Sequence, residues 1–335
     1  MELNEFSQKA LPRIENEIKT IIDLSLQGDK SDLRSVFLYH LGLSESVKIR
    51  GKRIRPLLVL LTTKACGGKW EKAISAGAAV ELLHNFSLIH DDIEDRSNLR
   101  HGRATVWNKW GTAQAINAGD GMFAIVFKAI HRLAKNNSLE LTLKASELIT
   151  DSCLKLVEGQ FLDMFFEGKE ELSLADYWTM IGGKTAALLG FCTRMGGLVA
   201  GLKESEQVKL YEFGYNLGLA FQVQDDFLGI WGNAAETGKP AENDLINRKL
   251  TLPVIFGLQM SPRFASRWKK SPLTQVELPV IKKWLEEDGI HEQTKNIIAT
   301  LNNDLNNYFS STMFIEDEGK QLLWEIMDVL RERKK

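Results

Sequence analysis

The chain has 335 residues, 44% of them hydrophobic and 26% charged. That is enough apolar mass for a large core, and it excludes disordered and collagen-like classes. The formal net charge is −2, so no global basic field draws the protein to nucleic acid or to an anionic surface, and no nucleic-acid partner is expected.

Taken in chain order, the dominant period is helical. Leu11, Ile14, Ile18, Ile21, Ile22 and Leu26 recur at three and four residues, as one apolar helix face does. The same stretch mixes Glu2, Glu5, Lys9, Arg13, Glu15, Glu17 and Lys19, which no signal peptide would. Pro56 is expected to open a helix through Leu57–Lys64, because proline suits the first turn. A long Ala- and Leu-rich helix is expected from Trp70 to His90. Further helical stretches are Ala113–Lys135, Leu139–Glu167, Ser173–Leu202, Glu204–Ile230, Leu252–Gln259, Leu278–Glu287 and Gly319–Arg333. No convincing set of short alternating strands is found. Glycines near 67–68, 196–197 and 229–238 read as turns or tight helix packing. With no linker and no internal repeat, one all-α domain over residues 1–335 is expected rather than the two that length alone suggests. The longest charge-free runs, Phe213–Gln224 and Leu250–Pro262, fall short of the roughly 18–20 residues of a membrane span, so a cytoplasmic protein without a membrane segment is expected. Cys66, Cys153 and Cys192 are widely spaced and form no metal-binding or disulfide pattern; reduced, buried thiols are the expectation.

The chemistry is concentrated in two acidic motifs. The first apolar helix to end in carboxylates reads His84-Asn85-Phe86-Ser87-Leu88-Ile89-His90-Asp91-Asp92-Ile93-Glu94-Asp95. On a helix Asp91 and Asp95 share a face, with Asp92 beside them. A solvated acidic face is usually interleaved with Lys or Arg. Oxygen-only ligands at this spacing suit Mg²⁺, which keeps several waters and bridges to phosphates. Phe221-Gln222-Val223-Gln224-Asp225-Asp226-Phe227-Leu228-Gly229 repeats the pattern. Two such sites on facing helices would clamp one diphosphate through metal ions. Candidate phosphate partners accompany them: Lys52, Arg53 and Arg55 before Pro56, Arg100 and Arg103 after the first motif, Lys184-Thr185 inside an apolar helix, and Lys239 and Lys249 after the second motif. Rival motifs fail. Gly183-Lys184-Thr185 has the tail of a P-loop, but Trp178 stands where its first glycine belongs.

Together these residues resemble the trans-isoprenyl diphosphate synthases, the polyprenyl synthetase family. The match runs from Gly51-Lys52-Arg53-Ile54-Arg55-Pro56 to Leu250-Thr251-Leu252-Pro253, with Asp91–Asp95 as the first aspartate-rich motif and Asp225–Gly229 as the second. The resemblance implies an all-α fold, a helical bundle around a deep central cavity, in a homodimer. It implies three Mg²⁺ ions, with Asp91 and Asp95 holding two and Asp225 the third. It places the allylic diphosphate on Lys184, Lys239 and Arg100. It places isopentenyl diphosphate on Lys52, Arg55 and His84, and puts Thr185, Gln222 and Lys249 at the reaction centre. The implied reaction is head-to-tail condensation by ionisation, attack and proton loss.

Two departures stand out. The family's second arginine after the first motif is replaced by His101, where Arg103 could compensate, and Gly229 ends the second motif in place of an aspartate. For product length, Phe86 lies five residues before Asp91 and the small Ser87 four before. Family members with an aromatic only at the Phe86 position stop at C20, so geranylgeranyl diphosphate is the expected product. Farnesyl diphosphate and C25–C30 products are the alternatives. A class I terpene cyclase would have no use for Lys52, Arg55 and His84, and a non-catalytic synthase subunit would not need both aspartate clusters.

Overall fold

The computed structural model describes residues 2–26, 32–44, 51–232, 243–270, 272–309 and 314–332. It divides into two compact units, one of Met1–Thr150, Cys192–Gln207 and Phe314–Leu323, the other of Asp151–Phe191, Val208–Met313 and Trp324–Lys335.

In the first unit, α1 (Leu3–Ser25) buries Ile14, Ile18, Ile21 and Ile22, the face expected from their spacing. Helix α2 (Asp32–His40) follows; it is too short for its period to stand out in the sequence. Helix α3 (Ile54–Ala65) is apolar nearly all round, and Leu57 through Leu61 are all buried, as a helix in the centre of a core must be. The expected helix from Trp70 to His90 begins instead with a 3₁₀ turn, Trp70–Ala73, and continues as α4 (Ile74–Glu94) to the last carboxylates of the first motif. Helix α4 packs against α1, α3 and α6 (Thr112–His131), the last reached through α5 (Val106–Trp110). The α4–α6 approach is close: a Cβ on Gly119 would lie 2.0 Å from His90 Nε2.

Between α4 and α5 lies a feature not anticipated. Leu99–Arg100 and Arg103–Ala104 pair as an antiparallel hairpin. Its two turn residues, His101 and Gly102, both have positive φ, 51° and 74°. A two-residue hairpin turn of this kind requires left-handed backbone at both central positions, which glycine tolerates freely and histidine better than most residues. Strands of two residues leave no alternation to read.

Helix α7 (Leu139–Phe166) ends in the second unit. There α8 (Leu174–Ile181) is N-capped by the Ser173 hydroxyl, which accepts from the Asp176 amide. The expected continuous helix Ser173–Leu202 is interrupted by a π-turn, Gly182–Ala186, before α9 (Ala187–Ala200). Helix α10 (Glu204–Trp231) matches its expected span and carries the second acidic motif near its end. Helices Leu252–Met260, Pro262–Trp268, Leu278–Glu287 and Ile290–Phe309 enclose a core around Tyr177, Phe264, Trp268, Leu285 and Ile290. The helix expected at Gly319–Arg333 spans Asp317–Glu332. All three cysteines are buried and unbridged, and burial pushes the thiols of Cys66 and Cys192 up to about 12. Among the described residues, no helix is long and apolar enough to cross a membrane.

Candidate active site

The first unit gathers its carboxylates at the C-terminal end of α4, where the helix dipole is negative and further negative charge is unfavourable. Asp91 lies in the last turn and Asp95 caps the helix, its amide donating to the Asp91 carbonyl at 2.8 Å. Asp92 is 1% exposed. Arg100, presented by the hairpin, forks onto it: Nε donates to Oδ1 at 2.9 Å and to Oδ2 at 3.1 Å. The same guanidinium donates from Nη2 to Asp91 Oδ2 at 3.2 Å. Burial raises the Asp92 carboxyl above its usual range, with Arg100 pulling the other way. Asp91, Asp92 and Asp95 thus bring three sets of hard oxygen donors to one end of the helix. Among the described residues, no group of three or more carboxylate, imidazole or thiol side chains could cage a metal ion unaided. That donor set still fits a cation that keeps its waters and takes its remaining ligands from a phosphate.

Beside it, a cavity of about 230 Å³ in the same unit is lined by Lys52, Arg55, His84 and His101, the set expected around isopentenyl diphosphate, by His40, and by Arg100, which was expected on the allylic diphosphate instead. Arg55 Nη1 lies 3.0 Å from His84 Nε2. Burial first, and Arg55 second, hold the His84 imidazole well below its usual value. The ring is therefore neutral, and its Nε2 lone pair accepts from the guanidinium. Burial likewise lowers His40 to about 3. Arg103 lines the same cavity, where it donates to the Tyr39 carbonyl at 2.8 Å and lies 5.1 Å over the Tyr39 ring. Farther up α4, the buried Phe86 ring meets His90 at 5.6 Å and Phe123 of α6 at 5.2 Å, and Phe123 meets Phe127 at 5.4 Å. Ser87, next along, donates to the His84 carbonyl at 2.8 Å.

The second unit builds its site on the π-turn. Gly159 of α7 and Gly183 of the turn interlock: a Cβ on Gly159 would lie 1.9 Å from the Lys184 amide nitrogen, and one on Gly183 would lie 2.9 Å from Gly159 Cα. Two glycines thus let α7 and the turn approach backbone to backbone. The turn presents Lys184, which forms an ion pair with Asp163 one turn beyond Gly159, and Thr185. A chain of hydrogen bonds follows. Thr185 Oγ1 donates to Gln222 Oε1 at 2.8 Å, and Gln222 Nε2 donates to Asp226 Oδ1 at 2.9 Å. Asp226 Oδ2 accepts from Tyr177 Oη at 2.7 Å and from the Leu252 amide at 3.0 Å. Burial pushes the Asp226 carboxyl up to about 7 against these three donors. A cavity of about 510 Å³, within the size range of small-molecule sites, is lined by Lys184, Thr185, Gln222, Asp225 and Lys249, with Asp244 and Arg248. Arg248 has left-handed backbone, φ 53°, and its guanidinium caps the Trp268 carbonyl at 2.8 Å while stacking 4.6 Å over that ring. Lys239 lies outside the described residues.

Most of the expected residues therefore fall into two sets, one per unit. Asp163, Tyr177 and Asp226 were not among them. Asp226 could have been suspected as the second half of a carboxylate pair, but two of its three donors lie 26 and 49 residues away.

The sequence pattern of the family described as Polyprenyl synthetase matches residues 39–275. The chain is 40% identical over 253 residues to a geranylgeranyl diphosphate synthase of Mycobacterium tuberculosis, covering 74% of this chain and 71% of that protein. It is equally 40% identical, over 227 residues, to a (2E,6E)-farnesyl diphosphate synthase of the same organism, covering 66% and 62%. The structure of a geranylgeranyl pyrophosphate synthetase from Pyrococcus horikoshii superposes with a TM-score of 0.87 at 29% identity, over 99% of this chain and 98% of that one. The chain belongs to the polyprenyl synthetase family and is a head-to-tail trans-prenyltransferase, a polyprenyl diphosphate synthase.

Proposed function

We propose that the enzyme extends an allylic diphosphate with isopentenyl diphosphate and releases geranylgeranyl diphosphate, C20, acting as a homodimeric single-domain synthase. Lys52, Arg55 and neutral His84 bind the isopentenyl diphosphate; their common pocket supports this reading. Lys184, Lys239 and Arg100 bind the allylic diphosphate. Asp91, Asp95 and Asp225 hold three Mg²⁺ ions, which when bound would neutralise the negative charge that develops on the leaving diphosphate.

The chain's own residues then govern the carbocation. The Thr185 proton is committed to Gln222, so the hydroxyl oxygen keeps its lone pairs for a developing positive charge. The Gln222 amide cannot rotate without losing its bonds to Thr185 and Asp226, so its dipole is fixed in advance of the reaction. Lys249 steadies the diphosphate that departs and takes the proton. Apolar walls keep water from quenching the cation.

The C20 reading rests on one observation, the buried Phe86 ring backed by Phe123, next to a small Ser87. Equal identity to a C20 and a C15 enzyme leaves the choice to such residues. The test is chromatography of dephosphorylated products. Phe86→Ala is expected to lengthen them by one or more C5 units, and Ser87→Phe to shorten them toward C15. An unchanged distribution in both variants refutes the assignment. Asp91→Ala and Asp225→Ala are each expected to lower turnover by about 10²–10³-fold or more with an intact helical spectrum. Near-normal turnover in either would remove that carboxylate from the site.

A further inference from the structure

Arg53 is where local preference and structure disagree most. It is the residue immediately before α3, and its backbone is left-handed, φ 47° and ψ 45°. A helix start favours a side chain that accepts from the first turn, and a guanidinium only donates. A cation also meets the positive end of the helix dipole there. Nothing local explains an arginine in this place.

Its side chain does. It is 3% exposed, and its fork reaches three separate parts of the first unit. Nη1 donates to Glu81 Oε1 of α4 at 2.7 Å, Nε to Glu15 Oε1 of α1 at 3.1 Å, and Nη2 to the Leu41 carbonyl, just past α2, at 2.6 Å. Glu81 is held in turn by Asn85, whose Nδ2 donates to the same Oε1 at 2.9 Å. Asn85 directly follows His84. The chain neighbours Lys52 and Arg55 line the cavity that contains His84.

We propose that Arg53 is a positioning residue for isopentenyl diphosphate. Its buried fork fixes the backbone of residues 51–55 in one strained conformation, so that Lys52 and Arg55 are set at the pocket before substrate arrives. Arg53 also borders the pocket, but its guanidinium is held by Glu15, Glu81 and the Leu41 carbonyl, so it acts through Lys52 and Arg55. The inference rests on the reading of Lys52, Arg55 and His84 as the isopentenyl diphosphate site.

Arg53→Lys keeps the charge but cannot reach three acceptors from one planar fork. With each substrate varied at saturation of the other, its KM for isopentenyl diphosphate should rise about tenfold, the equivalent of one charge-assisted hydrogen bond lost between a displaced Lys52 or Arg55 and the diphosphate. The turnover number and the allylic KM should stay within about twofold. Glu15→Gln, which weakens only one of the three anchors, should give a smaller rise of the same selectivity. A merely structural ion pair predicts otherwise: a lower melting temperature with both KM values and turnover unchanged or affected alike. That result, in Arg53→Lys or, should that variant not fold, in Glu15→Gln, overturns the proposal. Lys52→Ala separates the two levels. If it leaves the isopentenyl KM unchanged, the pocket assignment falls and this inference with it. If it raises that KM while Arg53→Lys and Glu15→Gln do not, the positioning role alone falls.

Discussion

Gly159→Ala adds one methyl group where two backbones already touch. The new Cβ would lie 1.9 Å from the Lys184 amide nitrogen, 2.4 Å from the Gly183 carbonyl carbon and 2.7 Å from Lys184 Cα. The first of these is short of ordinary contact by about 1.5 Å. All three are backbone atoms, so no flexible side chain can swing aside. Either α7 or the π-turn must move by something like that distance. Overpacking of this kind costs about 1–3 kcal/mol, or roughly 1–4 °C in melting temperature for a chain of this size. The kinetic cost should be larger. Lys184 and Thr185 sit on the turn, and displacements near 1 Å at reacting groups lower rates about 100-fold. Thermal melts by circular dichroism and steady-state turnover on saturating substrates measure both effects. Gly183→Ala, whose nearest clashes are 2.7 Å and 2.9 Å, should show the same pattern more weakly. Wild-type melting and turnover within about threefold in Gly159→Ala would refute the claim that the interlock sets the position of Lys184.

Asp226→Asn replaces one of two acceptor oxygens by a donor amide, facing at least one of the Tyr177, Gln222 and Leu252 donors; unfolding in urea should show a loss of about 1–3 kcal/mol. Stability equal to wild type would mean that the three donors do not need a carboxylate. His101→Arg places a permanently charged fork on the hairpin turn beside the first cavity, and is expected to lower the KM for isopentenyl diphosphate without changing the allylic KM. The left-handed backbone at 101 is no bar, since Arg53, Arg96 and Arg248 adopt it here. An unchanged isopentenyl KM would place residue 101 outside that site.

Helices with a wide apolar stripe were readable because burial repeats with the helical period: Ile14, Ile18, Ile21 and Ile22 are all in the core. Interruptions were not. The 3₁₀ turn at Trp70–Ala73 and the π-turn at Gly182–Ala186 have nearly the same hydrophobic spacing as the helices they join. The π-turn depends on what it packs against: besides Gly159, it needs Gly218, where a Cβ would lie 2.4 Å from Ala186 Cα. Helix Ile290–Phe309 is absent from the expected set although Ile290, Ile297, Ile298, Leu301 and Leu305 keep helical spacing; the asparagines and charges between them dilute the pattern. The acidic motifs were legible as local runs that break an apolar pattern. Asp163 and Tyr177 were not, because each acquires its meaning from a partner far along the chain.

The left-handed arginines and histidine have a wider consequence. Among the described residues, the non-glycine positions with positive φ are Arg53, Arg96, His101 and Arg248. Arg53 and His101 line the first cavity, Arg248 lines the second, and Arg96 directly follows Asp95. Left-handed non-glycine backbone is thus absent from the rest of the described scaffold and confined to the chain around the candidate substrate sites. A thermostability screen would be drawn to these four positions, since relieving a left-handed residue offers up to about 1–2 kcal/mol each. Heat resistance gained there would come from relaxing the loops that carry the substrate-binding cations, so the most heat-stable variants and the fastest ones should be different proteins.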